Sequence, residues 1–171
     1  MMKIACISLF LLCSKILFCQ YHAEQKNGKW GILSEKGEEV LPFEYNEITP
    51  VNYSALDFVT GTATIHQNEY FLLKKGEKWG IFNAPKKTFL LEMKYEEVRV
   101  DYGLGGNYLI LAAKLNNKYA LFDPKGVRIT EFDYKEIDTG DFNGNTDSII
   151  TYVSKNNKDW IMIDRHGKII K

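Results

Sequence analysis

The chain has 171 residues, 22 basic and 22 acidic side chains, 45% apolar residues and three cysteines. That length suits one domain of ordinary size, able to bury a core without metals or disulfides. Zero formal charge argues against a protein that holds nucleic acid by its phosphates, which needs a basic surplus, and 13% aromatics with 26% charged residues is not a disordered composition.

The first element is an export signal. Lys3 supplies a positive start, and Ile4 to Cys13 is an apolar or small run broken only by Ser8. Lys15 interrupts the apolar stretch, so it falls short of the roughly 20 residues of a spanning helix. A small residue at the cut fits Cys19, making residues 1–19 the signal peptide and Gln20 the mature start; Ala23 is the alternative cut. A lipoprotein signal competes, but it wants a small residue before the modified cysteine, whereas Phe18 precedes Cys19 and Leu12 precedes Cys13. A retained anchor is the third reading. Cys6, Cys13 and Cys19 all lie in this segment, so cleavage leaves a chain of roughly 150 residues with no cysteine. That chain has no disulfide, thiol nucleophile or thiolate metal site. Losing Lys3 and Lys15 also leaves it slightly acidic. The expected location is the periplasm, the cell surface or the medium, with no transmembrane segment after cleavage.

The remainder is a repeat. KWGILSEKG at 29–37 recurs as KWGIFNAPK at 78–86, KYALFDPKG at 118–126 and DWIMIDRHG at 159–167. The anchors are Trp30, Trp79, Tyr119 and Trp160, about 40–50 residues apart. A second anchor follows each of the first three: Tyr45 in YNEI, Tyr95 in YEEV and Tyr134 in YKEI. Residues 101–118 also overlay 141–158, with Asp101 on Asp141 and Asn116-Asn117-Lys118 on Asn156-Asn157-Lys158. Four units result, near 26–68, 69–106, 107–146 and 147–171, in a single domain over 20–171.

Within a unit the predicted elements are strands. The anchor strand is apolar or small on both faces, as in Trp30-Gly31-Ile32-Leu33, so it is covered on both sides. Ser34-Glu35-Lys36-Gly37, Asp123-Pro124-Lys125-Gly126 and Asp164-Arg165-His166-Gly167 carry type I turn chemistry, with the glycine free to take positive φ. Asn83-Ala84-Pro85-Lys86-Lys87 would put proline third, where it is disfavoured, so a different and longer loop is predicted there. A second strand follows in EEVLPF, TFLLEM, VRITEF and KIIK, and another precedes each anchor after the first: 70–74, 108–115 and 149–154. The linking loop would hold a short fourth strand around the Tyr-x-Glu-Ile/Val segment. The fold class is therefore all-β, four antiparallel β-meander repeats in a propeller-like arrangement or an open twisted array. Small residues after the anchor (Gly31, Gly80, Ala120) would let a neighbouring unit approach the aromatic ring, with Ile161 the exception.

The pattern GKWGI…G…Y-x-E-I resembles the WG-repeat family of bacterial repeat proteins. Lys29-Trp30-Gly31, Lys78-Trp79-Gly80, the altered Lys118-Tyr119-Ala120 and the later Tyr45, Tyr95 and Tyr134 carry the resemblance, over roughly 26–171. Asp159-Trp160-Ile161 keeps only the Trp and the later Gly167. The resemblance implies short β-rich units in arrays, often on exported proteins, and a scaffold or interaction role. It implies no common enzyme activity, substrate or cofactor, and no catalytic residue carries over.

Candidate sites follow from what recurs. The aromatic ladder suits stacking on a sugar or peptide, and equally suits a core between repeats, which its regular spacing favours. Lys29, Lys78 and Lys118 with Glu47, Glu97 and Glu136 would form either a charged ligand stripe or surface pairs worth under about 1 kcal/mol each. Asp141-Phe142-Asn143-Gly144-Asn145-Thr146-Asp147 places oxygen ligands at alternate positions, as calcium requires, but Thr146 replaces the turn glycine and Tyr152 stands at position twelve. Gly103-Leu104-Gly105-Gly106 precedes a strand rather than a helix, so it is no phosphate cradle. His22, His66 and His166 have no ligand or triad spacing. The expected function is a non-enzymatic binding or scaffolding module for an envelope or extracellular protein or glycan. No catalytic residue, cofactor or metal is expected. The alternatives are an envelope-polymer hydrolase built on Glu47, Glu97 and Glu136, and a calcium-stabilised β-repeat domain.

Overall fold

A computed structural model describes residues 21–57, 62–102, 109–138, 151–164 and 166–170, and side chains within these except 53–66 and 101–110. The leader, Gly103 to Gly106 and the 141–147 loop lie outside the described residues. The fold is all-β, and its strands form four antiparallel sheets. The first holds β1 (Tyr21–Lys26), β2 (Lys29–Ser34) and β3 (Glu39–Tyr45) in that order. The second holds β4 (Glu47–Asp57), β5 (Thr62–Lys75), β6 (Lys78–Asn83) and β7 (Thr88–Tyr95). The third holds β8 (Glu97–Tyr102), β9 (Leu109–Leu115) and β10 (Lys118–Phe122), and the fourth β11 (Glu136–Asp138), β12 (Thr151–Ser154), β13 (Trp160–Ile163) and β14 (Ile169–Ile170).

The sheets stack in series because their central strands are apolar on both faces. On β6, Phe82 points into a cluster shared with Ile32, Leu41 and Tyr45 of the first sheet. Its neighbour Ile81 points the other way, into a cluster shared with Val98, Leu111 and Phe122 of the third. On β10, Ala120 and Phe122 join that second cluster, while Tyr119 and Leu121 join Ile137, Val153 and Ile163 of the fourth sheet. Alternating side chains thus supply two cores from one strand. Each of the three clusters joins consecutive sheets, and none closes the series into a ring or barrel among the described residues. This is an open array of the solenoid type, in which each layer touches only its neighbours.

Tyr-x-Glu is the corner between sheets. Tyr45 ends β3 and Glu47 begins β4, and Tyr95–Glu97 spans the next corner in the same way. The middle residue ties the corner to the following hairpin: the Asn46, Glu96 and Lys135 N–H groups donate to the carbonyls of Lys74, Lys114 and Ser154 at 2.7–2.9 Å. Its side chain also caps the hairpin turn. Asn46 Oδ1 accepts from Gly76 N–H, and the Glu96 carboxylate accepts from the Asn116 and Asn117 N–H groups. The segment expected as a strand inside a linking loop is therefore the first strand of the next sheet, held there by these bonds.

Several local expectations need correction. A strand also precedes the first anchor: β1 pairs with β2 along its whole length, and Tyr21 and Ala23 alternate inward against outward His22 and Glu24. The turns at Gly37, Gly126 and Gly167 have φ of 78°, 80° and 79°, as the glycine positions require. In the second unit the loop is different and longer, as expected, with six residues between the paired Phe82 and Phe89 against five between Leu33 and Glu39. Asn83 pairs with Thr88, so the turn slides to Ala84–Lys87, proline falls second, and Lys87 takes φ 53° in place of glycine. VRITEF forms one isolated bridge, Phe122 with Arg128, and Tyr119 bridges Tyr134 just beyond it. Here the Thr130 hydroxyl accepts from the Leu121 N–H at 3.0 Å, alongside a longer backbone ladder contact.

The small residue after the anchor admits its own sheet rather than a neighbouring unit. A Cβ at Gly31 would lie 2.9 Å from the Leu41 carbonyl and from the Phe43 ring, both on β3. One at Gly80 would lie 2.7 Å from the Leu91 carbonyl and the Met93 sulfur, both on β7. The register shifts between the two anchors bring those bulged segments over the glycine.

Candidate functional site

The two sets of sequence anchors are cross-strand partners. Trp30 faces Tyr45, Trp79 faces Tyr95 and Tyr119 faces Tyr134. The recurrent glutamates join the same rows. Glu47 lies opposite Lys74, which lies opposite Trp79; Glu97 lies opposite Lys114, which lies opposite Tyr119; Glu136 lies opposite Ser154, which lies opposite Trp160. The lysines of the first two of these rows sit over the anchor rings, at 5.2 Å for Lys74 on Trp79 and 5.3 Å for Lys114 on Tyr119. Lys29, Lys78 and Lys118 each open an anchor strand directly after a hairpin turn. Lys118 also donates to the Asp133 carbonyl.

Four positions per unit form the face that looks toward the next sheet. They are the anchor, the residue two beyond it, the cross-strand partner of that residue, and the branched residue on the strand after the turn. In the first unit these are Trp30, Ile32, Ala23 and Val40, all in the first inter-sheet cluster. In the second they are Trp79, Ile81, Leu72 and Leu90, all in the next cluster. In the third they are Tyr119, Leu121, Ala112 and Ile129, all in the last. The fourth set is Trp160, Met162, Tyr152 and Ile170, paired across β12, β13 and β14. None of these four belongs to an inter-sheet cluster. Trp160 is 47% and Tyr152 37% exposed, whereas Tyr119 in the third unit is 1% exposed. The anchors Tyr45 and Tyr95 are buried, Trp30, Trp79 and Tyr134 are half-buried, and Trp160 stands out in solvent.

At the opposite end two of the three corresponding outward positions are polar. Where the second sheet presents Phe71, Leu73 and Phe82 to its predecessor, the first presents His22, Glu24 and Leu33. Glu24 lies 3.7 Å from His22 and 3.5 Å from Lys26, and Lys26 lies over the Phe43 ring. Leu33 is buried on this face.

Of the recurrent glutamates, Glu97 is the most engaged. Its carboxylate accepts from the Arg99 Nε–H and from the Tyr119 hydroxyl, each at 2.6 Å. Arg99 also donates to the Ile137 carbonyl on the fourth sheet at 3.1 Å, so the cluster bridges two layers. Burial pushes the Glu97 carboxyl up, but the Tyr119 hydroxyl and the Arg99 guanidinium outweigh it and hold the group below its ordinary range. Burial and the hydrogen bond to Glu97 push the Tyr119 hydroxyl well above its own. Glu97 is thus an anion under ordinary conditions, the reverse of a general acid. Equivalent positions on stacked sheets are about 10 Å apart, beyond the roughly 5–9.5 Å between paired carboxyls in glycoside hydrolysis.

His22 lies on β1, His66 on β5 and His166 in the last turn. Among the described residues no three His, Cys, Asp or Glu side chains gather as a metal set, and no helix is long and apolar enough to cross a membrane. The terminal face was missed by sequence reasoning. The signal was present in Tyr152, where earlier units carry Leu72 and Ala112, and in Ser154, where they carry Lys74 and Lys114. No family model, curated protein or solved structure matches the chain.

Proposed function

We propose that the protein is an exported, non-enzymatic binding or scaffolding module of the WG-repeat type, acting on a protein or glycan of the envelope or the extracellular space. The observation that carries this reading is the uncovered fourth face. Positions that serve sheet-to-sheet packing three times over are, in the last unit, an exposed Trp and Tyr beside Met162 and Ile170. Aromatic side chains of this kind anchor interfaces with proteins and sugars. The recurrent glutamates support binding over hydrolysis, since they occupy structural rows and Glu97 is tied to Arg99 and Tyr119.

Export after Cys19 fits the first sheet better than a cut after Ala23. The later cut would remove Tyr21 and Ala23, which pack in the first cluster, and half of the β1 ladder. Mass spectrometry of the exported protein should give an N-terminus at Gln20; one at Glu24 would sink this assignment. For the function itself, the immobilised protein is challenged with envelope proteins and with envelope polysaccharide. Retention that disappears with Trp160→Ser is expected; equal retention by both chains, or none, overturns the reading.

A further inference from the structure

We infer that the fourth-sheet face is a self-association surface, on which a second copy of this chain seats the same face about a two-fold axis. This rests on the reading above and names one occupant for its surface. The repeat itself says what kind of surface it is. The three earlier copies of the quartet each lie against another sheet, so the face is continuous in kind with three interfaces already formed inside the chain.

The molecule's own ends decide how two copies meet. A head-to-tail contact would set the first sheet of one copy on the fourth sheet of another. The covering positions would then be His22, Glu24 and Leu33, where internal interfaces use Phe71, Leu73 and Phe82. Burying that imidazole and carboxylate against Trp160 and Met162 would strand polar groups in an apolar contact. Head-to-tail growth is therefore blocked, and open filaments with it. Tail-to-tail pairing has no such cost at its centre. The lysine that stands beside the anchor in the second and third sheets is Ser154 in the fourth, so no lysine stands beside Trp160, and the carboxylate of this row, Glu136, lies opposite Ser154 on the edge strand β11. Asp138, opposite Tyr152, lies on the edge strand at the rim. A contact built on four side chains from strands of two to four residues is small. It belongs with interfaces below about 1,200 Å² in total, which are weak and transient.

The test uses the full chain, expressed with its leader and purified as processed, in sedimentation equilibrium over a wide concentration range. A reversible monomer–dimer equilibrium with a dissociation constant on the order of 10–500 μM is expected for a contact of that size. Trp160→Ser and, separately, Tyr152→Ser should each weaken it about tenfold or more, as for central aromatic anchors, with unchanged circular dichroism. Glu24→Lys at the far end should leave it unaltered. In dilute solution Trp160 emission should be quenched readily by acrylamide and become protected as dimer forms. A monomer at every concentration, a dimer indifferent to both tail substitutions, or a Trp160 already shielded in the monomer overturns the inference. Trp160-dependent retention of an envelope ligand by a chain that stays monomeric would overturn this inference and leave the proposed function standing. A dimer that retains neither protein nor polysaccharide would do the reverse.

Discussion

The first and fourth sheets occupy the two ends of one stack and carry the same strand positions with opposite chemistry. At the head, the positions that would meet a preceding sheet are His22, Glu24 and the buried Leu33, with Glu24 close to both His22 and Lys26. At the tail, the positions that would meet a following sheet are Trp160, Met162, Tyr152 and Ile170. Terminal repeats of an array need a polar outer face for solubility. Among the described residues the first sheet carries polar residues on its outer face, and the fourth exposes Trp160 and Tyr152. The difference lies in few residues: His22 and Glu24 stand on β1 where the second sheet carries Phe71 and Leu73.

The largest expected effect comes from erasing that difference. His22→Phe with Glu24→Leu copies Phe71 and Leu73 onto the head. The head then fits the tail of another copy, and the protein should pass from small species to open filaments, seen by light scattering and electron microscopy. Unchanged scattering at millimolar concentration would show that these two residues are not the cap. Next in size is a contrast between equivalent anchors. Trp79→Ala removes a ring packed between sheets and should cost about 3 kcal/mol in denaturant unfolding, whereas Trp160→Ala should stay within about 0.5 kcal/mol. Equal losses would mean that the tail ring is packed in the native state.

A smaller effect is expected at the Glu97–Arg99–Tyr119 node between the third and fourth sheets. The folded-state pKa of Glu97 is depressed, so its contribution is fully present above the ordinary value of 4.5 and is lost as pH falls through the folded value. Glu97→Gln should cost about 0.5–1 kcal/mol at neutral pH, given its solvent screening, and this difference should vanish in acid. A penalty that persists undiminished at pH 2–3 would remove the electrostatic account. The smallest effect is at Lys87, whose φ of 53° favours glycine. Lys87→Gly should stabilise by up to about 1 kcal/mol, and a loss of stability would mean that its side chain contributes more than its backbone costs.

The repeat, the strand content and the glycine turns were legible in the sequence because each has a local cause: period-two patterning, aromatic recurrence, and positive φ at Gly37, Gly126 and Gly167. The slide of the second-unit turn was half legible. Proline 85 excludes the simple alignment, but only pairing shows that Asn83 and Thr88 extend the ladder. The corner role of Tyr-x-Glu was hidden, because its bonds reach hairpins about 20–30 residues away, as Asn46 reaches Gly76. Trp160 was legible as an anchor but not as an exposed one. Its identity matches Trp30 and Trp79, and only the absence of a fifth sheet among the described residues sets its environment.

The one-residue corners at Asn46, Glu96 and Lys135 have an evolutionary consequence. Each is fastened to the hairpin that precedes the next anchor strand. A copy of one whole sheet inserted at a corner therefore brings its own corner fastening. Such a chain can lengthen or shorten by duplication or deletion of complete layers.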